Sequence, residues 1–431
     1  MARVNHLSMI KKYLTENFIF IEGIGFYNWN KIYWEKINDT KFKKYLLTMA
    51  KSKLSENEIT GNLIDSIQKL AQLELFVSQE SLNQNNDLHI VFKNGTYIIG
   101  EKKFYEDTFY KENYNTKIMN CSYKQGNLDT WNKYLSSTFK GEEECIELVQ
   151  EMMGYILYPE CNYEKSFILY GNGANGKSVL LNVMQELIGD YNTSYISMKD
   201  LEKSFLRSNL LDKSLNISSE LEKSVGKTEN FKKLVSGESV EAQFKYKDSF
   251  HFRNKSKLLF AMNQLSFISD LSDGLFRRIS IIPFNNQFMK ENRDPFLFEK
   301  LSKEIDAIAY WSIEGLVRMM SNNAFTTVKC VEGMTDELKE NNNPILRFAD
   351  DYLIITNDDD DSIEKIEVYN YYREWCSDNG NRAMNSNNFY KQINGDFKLE
   401  STRKMVDGKR LNCFLGVKIL EDKQEVSIGW S

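Results

Sequence analysis

The spacing of apolar side chains along the chain changes period several times. Residues 1–85 follow mostly helical spacing, with helices expected over Thr40–Lys51 and Gly61–Leu75 and a run of aromatics between Phe26 and Trp34. From His89 to Tyr105 the period shifts towards two, and Asn94-Gly95 marks a turn between short strands. Leu128–Phe139 and Glu142–Leu157 return to helical spacing, which Tyr158-Pro159 ends. The apolar run Phe167–Tyr170 then suits a buried parallel strand. Residues 166–285 alternate such runs with helical stretches, the pattern of an α/β domain.

Further on, Phe296–Met320 reads as one amphipathic helix, with Leu297, Leu301, Ile305, Ile308, Trp311 and Leu316 on one side. Asn341-Asn342-Asn343-Pro344 marks a boundary, and the acidic run Asp358–Asp361 reads as a solvated loop. Beyond it the pattern gives a helix over Ile363–Ser377, a turn at Asp378-Asn379-Gly380 and a second helix over Ser386–Asn394. Two strand-like runs, Leu399–Met405 and Leu411–Ile419, are joined by Asp407-Gly408. Two helices and a two-stranded ribbon are the outline of a winged helix-turn-helix.

The candidate chemistry begins where the buried strand ends. Gly171-Asn172-Gly173-Ala174-Asn175-Gly176-Lys177-Ser178 fits the pattern G-x-x-x-x-G-K-[ST], and a helix over Ser178–Ile188 follows it. Glycines let the backbone curl so that its N–H groups face an anion, and the helix N-terminus adds partial positive charge there. With Val179 at its end, this segment is a nucleotide-binding candidate for ATP. Lys177 would reach the β- and γ-phosphates, and the Ser178 hydroxyl would bind Mg2+.

Binding is not hydrolysis, which needs an acidic partner. Leu215–Glu220 is a short strand ending in a carboxylate, at the height where a parallel sheet presents its crevice. Glu220 there would orient the attacking water or hold the Mg2+ shell, and Glu222 could share the task. A second strand, Lys257–Asn263, ends in an amide suited to the γ-phosphate or the water, or equally to capping a turn. Arg277 and Arg278 precede another apolar strand. They are either a solvated pair or an arginine finger offered to the nucleotide of a neighbouring subunit, which implies a ring.

Composition narrows the classes. At 431 residues the chain is long enough for two to four domains and a core that needs no staples. Its formal charge of -6 excludes a basic nucleic-acid coat, so any nucleic-acid contact must come from a local patch or a pore. No apolar run is long enough for a membrane span, and Met1–Leu14 lacks the apolar core of a signal peptide. The six cysteines are scattered with no pair at metal-ligand spacing, and only three histidines are present. Reduced cytoplasmic thiols are expected, and a structural zinc site is not.

With these motifs in order, the sequence resembles the superfamily 3 helicases of the phage and plasmid primase-helicase type, which are AAA+ ATPases. Phe92–Gly95, Trp131 and Gln150–Tyr155 resemble the region ahead of the ATPase in that family. Gly171–Ser178 resembles its Walker A loop, Leu215–Glu220 its Walker B strand, and Phe231–Gly237 with the following hairpin its motif B prime. Asn263 falls at its sensor position, and Arg277 and Arg278 at its arginine finger. The resemblance implies an ATP-driven hexamer tracking 3′ to 5′ on one DNA strand held in a central pore. It also implies that the hairpin between Val240 and Phe252 enters the pore, with Lys245, Tyr246 and Lys247 at its tip and His251 on the returning strand. Ammonium groups suit phosphates, and an aromatic ring suits stacking on a base.

The C-terminal segment resembles the winged-helix module of phage-type members, which binds duplex DNA. Asn385, Asn387, Asn388, Lys391 and Gln392 lie on or near its second helix, and Arg403, Lys404, Lys409 and Arg410 flank the wing. Many members carry a primase domain ahead of this region; none is found in this sequence, so a separate primase and host replication proteins are expected partners. The combined reading is an α/β protein with a mostly helical N-terminal domain bearing short strands (1–140), an AAA+ phosphate-loop core (141–330) and a winged helix (345–431). It implies a replication initiator. The rival readings are an ATPase that remodels proteins or packages DNA, and an origin-binding module whose nucleotide cycle only switches assembly.

Overall fold

The apolar run after Tyr158-Pro159 forms β1 (Ser166–Tyr170), part of a five-stranded sheet in a computed structural model of the chain. The structure describes residues 6–83, 88–219, 224–225, 228–263, 267–268, 272–356, 358, 360–379, 383–406 and 409–420. The other strands are β2 (Thr193–Ser194), β3 (Leu215–Ser218), β4 (Lys257–Met262) and β5 (Ile279–Pro283). Their order is β5-β1-β4-β3-β2, and every pairing is parallel. β4 and β5 are buried at every residue, as a parallel sheet covered on both faces requires.

Four of the helices are α1 (Glu143–Leu157), α2 (Lys177–Ile188), α3 (Ile305–Asn322) and α4 (Lys329–Asn342). α1 and α3 cross at glycines. A Cβ on Gly154 would lie 2.4 Å from the Ser312 carbonyl oxygen, and one on Gly315 equally close to that of Gln150. Beside this crossing, buried Glu151 accepts from Arg318 at 2.8 Å. The expected single helix over Phe296–Met320 is instead two, Leu297–Ser302 and Ile305–Asn322.

The chain divides into two compact units, residues 1–334 and 335–431. The sequence reading separates 1–140 from 141–330, but the two stretches share one core. Ile90, Phe92, Trp131 and Tyr134 pack in the same cluster as Leu169, Leu180 and Met184. The Tyr27 hydroxyl also donates to Asp212 at 2.5 Å. The N-terminal stretch is less helical than its spacing suggests. The aromatics from Phe26 to Trp34 belong to antiparallel strands Phe18–Ile21, Gly25–Trp29 and Trp34–Ile37, not to a helix. Their large rings fill a pleated surface against helices Asp39–Lys51 and Gly61–Glu74, with Phe26 stacked on Phe42 at 3.7 Å. The turn at Asn94-Gly95 does join two strands, His89–Phe92 and Gly95–Ile98. Gly95 is obligatory there, since its φ is +148° and a Cβ would lie 2.2 Å from the Tyr105 carbonyl oxygen.

In the second unit, helices Pro344–Tyr352, Lys365–Asp378 and Ser386–Phe397 pack around Phe348, Tyr372, Trp375 and Phe389. The boundary read at Asn341–Pro344 falls where α4 ends at Asn342 and Asn343 caps the next helix, accepting from Ile345 N at 3.0 Å. The expected two-stranded ribbon is a three-stranded antiparallel sheet, because Ser362–Glu364 pairs on one side of Lys409–Leu415 while Ser401–Val406 pairs on the other. The turn Asp407-Gly408 lies outside the described residues. The whole is a mixed α/β protein. Among the described residues no helix is long and apolar enough to cross a membrane.

Candidate nucleotide site and nucleic-acid surfaces

The phosphate-loop candidate sits at the carboxyl edge of the sheet, between the end of β1 and the start of α2. Its backbone uses conformations that glycine permits. Gly171 has φ +152°, and a Cβ there would meet Asn175 Nδ2 and the Phe284 carbonyl oxygen, each at 2.5 Å. Gly176 has φ +94° at the N-cap of α2, and Ala174 φ +63°. Residues distant in sequence hold the loop from outside. Asn175 Nδ2 donates to the Phe284 carbonyl at 3.1 Å, the Tyr134 hydroxyl to that of Gly176 at 3.0 Å, and Phe288 N to that of Ala174 at 2.9 Å. Tyr134 and Phe288 had no local signal in the sequence.

Inside this cradle Lys177 is buried, and its Nζ donates to the Gly171 carbonyl and, at 3.1 Å, to Asn175 Oδ1. Burial pulls its pKa below the ordinary lysine value. Asn172, Gly173 and Ser178 are exposed, and Val179 turns partly into the core. A curled backbone, an ammonium group and an exposed hydroxyl at a helix N-terminus are the donors that a Mg2+-bound triphosphate takes.

Asn263 follows β4 directly and is exposed. Met262 pairs with Tyr170 in register, and Gly171 N donates to the Met262 carbonyl at 3.2 Å. Asn263 and the loop therefore share one sheet edge. β3 ends at Ser218 on that same edge. Glu220, assigned to catalysis and metal in the sequence, lies with Glu222 outside the described residues.

Arg277 and Arg278 lie at the other edge. Ile279 pairs with Ser166, the first residue of β1, whereas the loop follows Tyr170, the last. Five strand residues separate the two levels, roughly 16 Å at about 3.3 Å per residue. The arginines also differ from each other. Arg278 is buried; it donates to Ser236 Oγ at 2.8 Å and the Gly274 carbonyl at 2.7 Å, and pairs with Glu164 at 3.1 Å. Arg277 is 66% exposed in its side chain, with Glu164 at 3.7 Å.

The basic hairpin forms from strands Ser239–Gln243 and Ser249–Arg253. One face buries Val240, Ala242 and Phe252. The other exposes Glu241 and His251, which pair directly across the ladder. Phe244 stacks on Phe250 at 4.9 Å and braces the tip. At that tip Tyr246 is 91% exposed with φ +63°, and Lys245 Nζ lies 5.1 Å from its ring centroid. A cavity of about 820 Å3 lies apart from the phosphate loop; Asn115, Lys117, His251 and Arg253 help line it.

In the C-terminal unit the basic residues do not form one surface. Arg403 pairs with Asn412, and Met405 with Arg410, so Arg403 and Arg410 share a face of the ribbon. Lys404 pairs with Leu411 on the opposite face. Lys409 is described by its backbone only, opposite Val406. Lys391, Asn387 and Asn388 are exposed on helix Ser386–Phe397. Asn385 is committed as its cap, accepting from Asn388 N at 3.0 Å, and Gln392 donates to Asn343 at 3.4 Å.

Comparison with known proteins adds three partial family matches. Residues 8–140 match "D5 N terminal like", residues 340–417 match "Poxvirus D5 protein-like", and residues 169–278 match a family of unknown function. The chain is 24% identical over 387 residues to a protein of Acanthamoeba polyphaga mimivirus named "Putative helicase L207/L206", covering 80% of this chain and 38% of that one. It is 26% identical over 264 residues to "Putative helicase 121R" of Invertebrate iridescent virus 3, covering 56% of this chain and 27% of that one. The chain thus spans well under half the length of either relative. Two apo structures of the NrS-1 C-terminal region share the fold, with TM-scores of 0.57 and 0.58 at 11% and 13% identity, over 96% of this chain and 100% of theirs. These likenesses set the chain beside D5-like domains and viral proteins named as putative helicases.

Proposed function

We propose that this chain is an ATP-dependent DNA helicase of superfamily 3, with an AAA+ core, that initiates replication of a phage, plasmid or mobile island. One observation carries the reading: the loop and Asn263 share one sheet edge, while the exposed arginine of the finger motif stands at the opposite edge of the same chain. Roughly 16 Å separates the two levels. An arginine so placed serves a nucleotide only if a neighbouring copy presents it, which makes the active form a ring. Of the two candidates, Arg277 is the finger and Arg278 holds the turn that carries it.

In this reading the loop amides and Lys177 bind the phosphates, and the Ser178 hydroxyl holds Mg2+, which when bound neutralises charge on the β- and γ-oxygens. Asn263 and Glu220 orient the attacking water. Arg277 of the next subunit meets the developing charge on the γ-phosphoryl oxygens. The hairpin tip, Lys245–Lys247, contacts single-stranded DNA in the pore and moves 3′ to 5′ with the nucleotide cycle. The C-terminal unit is a winged helix that reads duplex origin DNA, through Lys391 and the Arg403 and Arg410 face.

The test is ATP-dependent strand displacement on a forked duplex with a 3′ single-stranded arm, with Lys177→Ala as control. Displacement by the wild-type protein alone is expected. Sustained ATP turnover without displacement would instead point to an ATPase that switches assembly or remodels partners.

A further inference from the structure

Two thiols far apart in sequence meet in the first unit. Cys145 and Cys330 are 185 residues apart, and their sulfurs approach to 3.3 Å. Oε2 of Glu142 lies 3.4 Å from Cys145 Sγ and 3.9 Å from Cys330 Sγ. We propose that Glu142, Cys145 and Cys330 form a binding site for a borderline-soft divalent cation, Zn2+, with water in the fourth position.

The spacing matches the ion. Zinc–sulfur bonds of about 2.3 Å and zinc–oxygen bonds of about 2.0–2.2 Å in a tetrahedron put donor atoms about 3.5–3.8 Å apart. The three observed separations bracket that range. The donors are also right: two thiolates and one carboxylate favour zinc over magnesium or calcium, which take oxygen ligands. Both thiols lie in the first turn of a helix, Cys145 in α1 and Cys330 in α4, where the partial positive charge of the N-terminus stabilises a thiolate.

The donors are held in place by the fold itself. Cys145 is buried in the main core. Cys330 is flanked by Val328 and Val331, both buried in that core. Just ahead of them, Thr326 donates through its backbone N and its hydroxyl to the Glu151 carboxylate, at 2.6 and 2.8 Å. The start of α4 is therefore positioned by packing, and Glu142, exposed at the N-cap of α1, closes the third side. All six cysteines are free thiols. Zn2+ binds thiolate sulfur, so any proton held on either thiol leaves to solvent on binding, with no change of oxidation state. The bound ion would pin the start of α4 to α1. The site shares no residue with the phosphate loop, so it stands or falls separately from the helicase reading.

The experiment uses the full chain, reduced and stripped with chelator, then titrated with Co2+ as a spectroscopic probe and with Zn2+ as competitor. Thiolate-to-cobalt charge-transfer bands should saturate at one Co2+ per chain and disappear on addition of Zn2+. Cys145→Ser and Cys330→Ser should each abolish the bands, while Cys376→Ser and Cys413→Ser should leave them intact. Glu142→Gln changes an exposed side chain and keeps both thiols, so it tests the site in a protein that folds; zinc should bind at least about tenfold more weakly. Unchanged cobalt bands in Cys145→Ser or Cys330→Ser would overturn the proposal, as would a folded wild-type protein without saturable binding. So would a pair that ignores cobalt and instead closes to a disulfide with oxidised glutathione.

Discussion

The carboxyl edge of the central sheet and the C-terminal ribbon were both marked out by short polar runs, and the fold treats them differently. At the sheet edge, Gly171–Ser178 curls into one cradle, with Asn263 brought alongside by the pairing of Met262 with Tyr170. At the ribbon, Arg403 and Lys404 are neighbours in sequence yet face opposite ways, because successive residues of a strand point to opposite faces of the sheet. The difference is one of what the residues specify. Glycines and a helix start dictate a backbone shape, and the shape gathers the donors. Charge density dictates nothing about direction, and in a strand adjacent side chains always part.

The largest expected effect lies in the cradle. Lys177→Ala removes the buried ammonium that the loop encloses, and ATP turnover should fall to the level of a protein-free control in a phosphate-release assay. Measurable turnover in that variant would separate the loop from the chemistry.

Next in size is the contrast between the adjacent arginines. Arg277→Ala should lower ATPase by about 10³-fold, the usual effect of losing a finger, without changing the thermal midpoint. Mixing it with Lys177→Ala protein should restore part of the activity, since each variant supplies what its neighbour lacks. Failure to complement would mean that the finger does not act between subunits. Arg278→Ala should behave differently. It strips partners from Ser236, the Gly274 carbonyl and Glu164 and should cost about 2–4 kcal/mol of stability, read by denaturant unfolding.

A smaller and more selective effect is expected at the hairpin. If the hairpin's phosphate contacts serve translocation and not hydrolysis, replacing Lys245 and Lys247 by Ala should cut strand displacement by tenfold or more while basal ATPase stays within about twofold. A parallel loss of both activities would show instead that the hairpin supports the nucleotide site.

How far the sequence reaches follows the same division. The loop, the strand ahead of it and the hairpin were legible, because each is specified within about a dozen neighbouring residues. The strands from Phe18 to Ile37 were not, since aromatic residues suit either a helix or a pleated sheet and only packing against Phe42 decides. Asn341–Pro344 was legible as a boundary, but not that Asn343 there caps one helix directly after α4 ends. The supports of the loop at Tyr134, Phe284 and Phe288 come from elsewhere in the chain, as does the Cys145–Cys330 approach. Contacts across such separations are written in the packing of α1, α3 and the sheet, not in any local run.

The smallest effect belongs to the ribbon. If the C-terminal unit holds duplex DNA on the face carrying Arg403 and Arg410, each Arg→Ala change should weaken binding by about 1 kcal/mol. Each should also reduce the slope of log K against log salt by about one. Lys404→Ala, on the other face, should change neither, although it removes the same charge from the same strand. Fluorescence anisotropy of the full chain on a duplex at several salt concentrations separates the cases. Equal losses at Arg403 and Lys404 would show that the ribbon acts by bulk charge alone, and the register seen in the sheet would carry no functional meaning. Loss at Lys404 only would assign the opposite face to DNA and leave Arg403, which already donates to Asn412 at 3.1 Å, a structural role.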